Sequence, residues 1–248
     1  SKSVMIRRKK SEVLTDLPPK QISIIPLEIT NRKEYMAAEK QFMQYIGSKF
    51  DNDLEKDGIE RELKAYAKKY ELEVNEDLDG NDLVAIKDLK LEKAKNAPAL
   101  IQMGMLKQLA VKGKMKALVE WVEEFLESGE KLVLFAINKD VITELMTKFP
   151  DAARVDGSVT KVNRQKAIDR FRDDENCKLF IANMDAGGIG ITLTSASNVV
   201  NAQYPWTPSK LAQAIDRVHR MTQTKKVTVW NTVAVNTIEE KILTVLSE

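Results

Sequence analysis

The sequence predicts an α/β fold, a parallel sheet with helices on both faces, preceded by a mainly helical region with a short N-terminal strand. Three observations carry this. After Gly129 the apolar runs KLVLFAI, CKLFIAN, NVVNAQ and KVTVWNTVAV lack strict polar–apolar alternation, as expected of strands covered on both faces. A helical pattern follows three of these runs, and strands joined by helical crossovers lie parallel. The chain has 248 residues, 43% of them hydrophobic, and no internal repeat, so one buried core is within reach without a solenoid.

Residues 1–20 carry six Lys or Arg against Glu12 and Asp16, a basic entry segment. LPPK at Leu17–Lys20 breaks the chain, because Pro restricts itself and its predecessor. QISIIPLEI then has the β-branched content of a strand. Over 31–50, Tyr35, Ala38, Phe42, Tyr45 and Ile46 fall at helical spacing, with Gly47 as the stop. Residues 51–96 hold turn residues and an acidic excess, and read as helical pieces interrupted by a loop. APALIQMGMLKQLAV and GKMKALVEWVEEFLESG read as two helices, the second capped by Gly129. Val111–Gly113 marks a boundary, giving a segment 1–30, a helical region 31–110 and an α/β domain 111–248.

Within that domain KDVITELMTKF, KVNRQKAIDRF, KLAQAIDRVHRM and TIEEKILTVLS are the helices, and ARVDGS is a short strand and turn. Composition narrows the chemistry. A net charge of +2 announces no nucleic-acid or membrane partner, so any such surface must be local. One cysteine, Cys177, and one histidine, His219, make no disulfide and no His-based metal site. That points to an intracellular protein, and no apolar run is long enough for a membrane span.

No G-x-x-x-x-G-K-[ST] loop is present, since Gly113-Lys114 is followed by Met115 and lacks the first glycine. Asp174-Glu175 sits in a polar turn and reads as solvated. DAGGIGITL at Asp185–Leu193 follows a strand; its glycines suit either a tight turn or a ligand loop. Gln213, Asp216, Arg217 and Arg220 stand at i, i+3, i+4 and i+7, one face of a predicted helix. Two arginines there make a fork for phosphoryl oxygens, or else Asp216 and Arg220 form an ordinary surface pair. His219 reads as a packing or hydrogen-bonding residue, Trp206 as packing its loop with base stacking secondary, Trp121 as helix core, and Cys177 as non-catalytic.

These blocks carry a resemblance. RQKAIDRF, then IANMDAGGIGITLTSASNVVNAQYPWTPSKLAQAIDRVHRMTQTKKVTVWNTVAVNTIEEKIL, resembles in order, spacing and content the second motor lobe of Swi/Snf-type, superfamily II helicase-like ATPases. KLVLFAINK is similar to motif IV, RVDGSVTKVNRQKAIDRF to the block after it, DAGGIGITLTSAS to motif V, and Gln213–Gln223 to the arginine-finger motif VI. MIRRKKSEVLTDLPPKQ resembles the segment that joins the two lobes, while 31–110 matches only as a variable helical region. Thr192 stands where chromatin remodellers usually have Asn; GITLTSAS, WTP and DRVHR look closer to annealing or fork-remodelling helicases and to phage or bacterial relatives.

The resemblance implies a RecA-like C-terminal lobe of an ATP-dependent translocase on double-stranded or branched DNA, acting in repair or recombination. Its P-loop and its Mg2+ would belong mainly to a first RecA-like lobe, and the start at Ser1 fits half of a motor. ATP would lie between the lobes, with Arg217 and Arg220 as catalytic fingers, Gln213 and Asp216 orienting them, and Gly188 and Gly190 bringing backbone close to the nucleotide. Asn138, Lys139, Ser158, Thr160, Arg164, Thr192 and Thr194 would contact DNA phosphates, and eleven Lys or Arg against six Asp or Glu over 161–226 fit that role. The chain alone is expected to hydrolyse ATP poorly or not at all. Two rival readings are a stand-alone DNA-binding or regulatory module on this fold, and a Rossmann-like enzyme that binds nucleotide without a partner lobe.

Overall fold

The computed structural model describes residues 17–51, 85–184 and 191–247. The chain divides into two compact units, one joining the segment up to Thr30 with Lys114–Glu248, the other Asn31–Gly113. In the first unit β1 (Lys20–Leu27), β2 (Leu132–Ala136), β3 (Ala153–Val155), β4 (Leu179–Asn183), β5 (Asn198–Asn201) and β6 (Val227–Ala234) form one sheet in the order β1-β6-β5-β2-β4-β3. Every neighbouring pair is parallel. This is the RecA-like arrangement of parallel strands and crossover helices. Among the described residues no helix is long and apolar enough to cross a membrane.

Burial explains the missing alternation. All five side chains of β2 are fully buried, and Leu179, Phe180, Ile181 and Ala182 of β4 nearly so, because central strands of a parallel sheet have helices on both sides. The helices are α1 (Arg32–Asp51) and the first part of α2 (Ala85–Glu127) in the second unit, then the last turns of α2, α3 (Lys139–Lys148), α4 (Lys161–Asp173), α5 (Pro208–Ile215) and α6 (Ile238–Ser247). In the second unit the Asn31 side chain donates to the Leu109 carbonyl at 3.0 Å, tying the start of α1 to α2.

The expected short N-terminal strand is β1, and it is the edge strand of the sheet, in register with β6 from Lys20–Val227 to Leu27–Ala234. An edge place tolerates Pro26, which has no N–H for a second neighbour. Two expected helix stops do not occur. Gly47 lies inside α1, which runs to Asp51, and α2 is one helix across Gly113 instead of two. An internal glycine costs only about 1 kcal/mol, and the flanking Val111, Met115, Leu118 and Val122 are buried, so packing outweighs it. The loop expected near 51–96 and the basic residues 1–16 fall mostly or wholly outside the described residues, whereas 85–96 is helical.

The last turns of α2 pack on β6 through aromatic rings. Trp121 lies 5.7 Å from Trp230 and 5.5 Å from Phe125, centroid to centroid. The helix ends as expected, with Gly129 at φ 74 just past it, where a left-handed residue satisfies the final carbonyls. Lys131 then donates to the carbonyls of Phe171, Arg172 and Asp174 at the C-terminus of α4, a favourable end of the helix dipole for a cation. Lys114, dismissed as part of a phosphate loop, is fully buried and donates to Glu239 Oε2 at 2.6 Å and to the Thr232 carbonyl at 2.7 Å.

Candidate nucleotide and nucleic-acid sites

In a parallel sheet everything that follows a strand lies at one edge, and everything that follows a helix lies at the other. The sequence-predicted site residues separate on this rule into two clusters.

At the C-terminal edge, Asn138 and Lys139 follow β2, and Ser158 and Thr160 follow β3. Asn138 is the N-cap of α3 and makes no side-chain cap bond, so its amide is not spent on the helix. Its backbone is held instead: the amides of Ile137 and Asn138 donate to Gln203 Oε1 at 2.7 and 2.8 Å, and Asn183 Nδ2 donates to the Ile137 carbonyl at 2.6 Å. Gln203 and Asn183 were missed by sequence reasoning; the available signal was a polar side chain ending each of two apolar strands. Thr160 caps α4, its hydroxyl accepting from the Asn163 amide at 3.4 Å, which leaves the hydroxyl proton for another acceptor. Lys139 and Lys161 open α3 and α4, where a helix dipole favours anions over cations.

Two predicted contacts differ from this picture. The Ser158 hydroxyl donates to Asp156 Oδ1 at 2.5 Å and its amide donates to the same oxygen at 2.8 Å. A hydroxyl has one proton, so Ser158 has none to offer a phosphate. Arg164 is only 9% exposed and its Nε lacks a hydrogen-bond partner; it points into the lobe instead of along its surface. Helical spacing could not reveal this, since an arginine stem packs like an apolar chain.

Asp156 organises the β3–α4 turn, also accepting from Arg154 Nε and Nη2, each at 2.6 Å. Burial alone would raise its carboxyl, but the bonds from Ser158 and the Arg154 charge outweigh it and hold the group below the usual carboxylate range. A depressed folded-state value stabilises the fold above the unfolded value of about 3.9, and the contribution is lost as pH falls through the folded value. Asp156→Asn is therefore expected to cost about 1.5–3 kcal/mol at pH 7. Urea unfolding from pH 7 to pH 2 should show the difference between the variant and the native chain shrinking toward acid; a constant difference would refute the assignment.

The second cluster sits at the N-terminal edge. The segment after α5 runs beside the starts of β5 and β6, where the Thr228 amide donates to the Ser197 carbonyl at 2.8 Å. The expected helix over Gln213–Gln223 ends early: α5 stops at Ile215, with Asp216 as its C-cap at φ −66, ψ −5. Asp216, Arg217 and Arg220 therefore occupy tight turns, not one helical face. The cause is tertiary. The Arg217 carbonyl, which a continuing helix would use four residues on, accepts from the Leu193 amide at 2.9 Å, and the Ile215 carbonyl accepts from both Val218 and His219 at 3.0 Å.

The turns still gather the predicted residues. Thr192, Gln213, Asp216, Arg217, Arg220, Met221 and Thr222 line a groove of about 630 Å³. Arg220 Nη1 donates to Thr192 Oγ1 at 2.7 Å, and the Thr222 hydroxyl donates to that of Thr194 at 3.2 Å. Buried Gln223 staples the two segments, its Nε2 donating to the Ala196 carbonyl at 2.8 Å. Thr192 and Thr194 thus join the arginines, not the first cluster. Burial, then the like charge of Arg220, lowers the pKa of Arg217 against the opposing effect of Asp216, and Arg217 Nε is buried without a hydrogen-bond partner. Two adjacent guanidinium groups, one incompletely bonded, offer planar donors of the kind that suits phosphoryl oxygens. Gly188 and Gly190 lie outside the described residues.

Of the residues read more blandly, His219 Nε2 lies 2.8 Å from the Pro18 carbonyl. Cys177 is buried, and burial raises its thiol pKa. Trp206 is 49% exposed. Among the described residues no three His, Cys, Asp or Glu side chains converge as metal ligands.

Residues 113–222 match the helicase conserved C-terminal domain. The chain is 30% identical to an uncharacterized ATP-dependent helicase of Mycoplasma pneumoniae over 98% of its length and 21% of the relative's. It is 29% identical, over 99% of its length and 22% of the relative's, to the SWI/SNF-related matrix-associated actin-dependent regulator of chromatin subfamily A-like protein 1 of Xenopus tropicalis. The chain thus spans about a fifth of the length of these curated relatives. Among solved structures, the C-terminal part of the Fun30 ATPase domain superposes with a TM-score of 0.64 at 24% identity, over 93% of this chain and 90% of that one. The Sulfolobus solfataricus SWI2/SNF2 ATPase core in complex with dsDNA superposes at 0.60 and 23% identity, over 96% of this chain and 46% of that one. At these identities the superpositions show the fold. Sheet, motif order and sequence matches together show that the chain belongs to the Swi/Snf-type family of superfamily II helicases and carries its C-terminal, RecA-like lobe.

Proposed function

We propose that this lobe serves an intracellular, ATP-dependent translocase on double-stranded DNA in repair or recombination, and that it supplies the arginine fingers and part of the DNA track. The observation that carries the reading is the pair Arg217 and Arg220 in one groove, with the buried Arg217 Nε lacking a partner. Preorganised cations aimed at developing phosphoryl charge need no rearrangement at the moment of transfer. ATP would lie between this groove and a first lobe, with Gln213 and Asp216 orienting the arginines and Gly188 and Gly190 approaching the phosphates. Metal-binding residues would come mainly from the first lobe, so this chain alone would hydrolyse ATP poorly or not at all.

The DNA backbone would lie over the C-terminal edge, against Asn138, Lys139 and Thr160 at the starts of α3 and α4. Such contacts go to phosphate and are sequence-independent. The duplex DNA bound by the Sulfolobus core supports this choice of partner. Thr192 and Thr194, bonded to the arginine segment, would link the backbone contacts to the nucleotide site.

Titration of fluorescent duplexes with the chain over a salt series tests the DNA half. Lys139→Ala with Thr160→Val should weaken all sequences alike and lower the log–log salt slope by about 1. Unchanged affinity and slope would overturn the assigned track.

A further inference from the structure

We infer that His219 is a positioning residue that couples the chain entering the lobe to the two arginines of the groove; this rests on reading Arg217 and Arg220 as the γ-phosphate ligands. His219 Nε2 lies 2.8 Å from the carbonyl oxygen of Pro18, 201 residues away in sequence. A carbonyl oxygen only accepts, so Nε2 carries the proton and donates. The link is therefore a direct hydrogen bond between ring and backbone.

What it links is specific at both ends. On one side, His219 lies between Arg217 and Arg220 in consecutive tight turns: its own amide donates to the Ile215 carbonyl at 3.0 Å, Arg220 N to Val218 at 3.1 Å, and Gln223 N to Arg220 at 2.8 Å. Turns closed this tightly do not let one residue move alone, so a displacement of the ring is passed to both guanidinium groups. On the other side, Pro18 precedes Pro19. Both rings fix φ, and Pro19 confines Pro18 to extended backbone, so the accepting carbonyl rides on a short stiff rod. The rod leads directly into Lys20, which pairs with Val227 of β6. It is therefore pinned by the sheet at one point and by His219 at another, beside the arginine turns. A displacement of the chain preceding Leu17 would reach the groove through the Pro18 carbonyl. The same device explains a Pro-Pro pair at the mouth of an edge strand, where one proline would suffice as a break.

The test uses the ATP-hydrolysing protein that contains this lobe. His219→Phe keeps a ring without a donor, His219→Gln keeps a donor at similar reach, and Pro18→Gly with Pro19→Gly keeps the carbonyl while removing the rod. His219→Phe and the glycine pair should each lower kcat about tenfold or more with KM for ATP unchanged, as expected when the reacting groups are misplaced and binding is not. His219→Gln should recover most of the loss. Combining His219→Phe with the glycine pair should cost no more than either, because both cut one link. In the 248-residue chain, exchange of the Arg220 and Gln223 amides should quicken about tenfold in both variants while that of β2 amides holds.

Arg220→Ala is measured alongside. If it leaves turnover intact, the arginine reading fails. If it abolishes turnover while His219→Phe and the glycine pair retain full kcat, the coupling fails and the arginine reading stands. If His219→Phe also speeds β2 exchange and His219→Gln does not rescue it, the ring is merely core packing and the inference is overturned.

Discussion

Arg220→Ala is expected to reduce DNA-stimulated ATP turnover by about 1000-fold or more, the range lost when an arginine finger is removed, while duplex affinity stays within about twofold. The first half follows from charge. Arg220 and Arg217 share one groove, and two guanidinium groups placed together suit the charge that develops on a transferring phosphoryl group. The second half follows from place. The arginines lie on the segment that leads from α5 into β6, whereas Asn138, Lys139 and Thr160 follow β2 and β3. Arg220→Lys should recover only part of the loss, because an ammonium replaces a planar fork with a point charge. Single-turnover hydrolysis and duplex binding on the same preparations decide it. Unchanged turnover sinks the finger assignment, and equal loss of turnover and DNA affinity sinks the separation of the two clusters.

The second large effect concerns stability. Lys114→Ala is expected to cost about 3–5 kcal/mol, because it leaves Glu239 buried and unpaired. Lys114 and Glu239 are 0% and 1% exposed and meet at 2.6 Å. Glu239 Oε2 also accepts from the Ala234 amide at 2.9 Å, and the Thr232 carbonyl that receives Lys114 also receives the Tyr204 hydroxyl at 3.0 Å. The pair therefore ties α2 and α6 to the end of β6. Lys114→Met with Glu239→Met should be less harmful than Lys114→Ala, since no charge remains buried; the unpaired Ala234 amide should keep it from full recovery at about 1–3 kcal/mol.

Desolvation lowers the Lys114 pKa despite the pull of Glu239. Between its folded value and the unfolded value of about 10.4, the unfolded chain holds the extra proton, so stability should rise with pH toward 10.4. That rise should vanish in the double variant. Urea midpoints at pH 7 and pH 10 check both statements, and a cost below about 1 kcal/mol for Lys114→Ala would show that the pair is dispensable.

Much of the site was legible because its chemistry is local. Gln213, Asp216, Arg217 and Arg220 were grouped by spacing, and they do share a groove, yet the helix invoked to group them ends at Ile215. Spacing reports which residues can turn toward one another, whereas the bond from the Leu193 amide to the Arg217 carbonyl depends on a segment 24 residues earlier. The same limit hid the spent proton of Ser158, the burial of Arg164 and the clamp of Gln203 on Asn138. Each depends on the direction of a side chain that only its neighbours set.

By itself the sequence determined the α/β class, the strands β2, β4, β5 and β6, the cap at Gly129 and the helicase motif order. Hydrophobic run length, turn residues and spacing are properties of neighbours along the chain, and they survive in any context. Tertiary structure alone decided that β1 closes the sheet as its edge, that Gly47 and Gly113 break no helix, that Lys114 is buried on Glu239, and that the arginines and the strand-end residues face opposite edges. Those outcomes depend on contacts between residues far apart in sequence, where burial and hydrogen bonding outweigh the local preference of about 1 kcal/mol that a single glycine expresses.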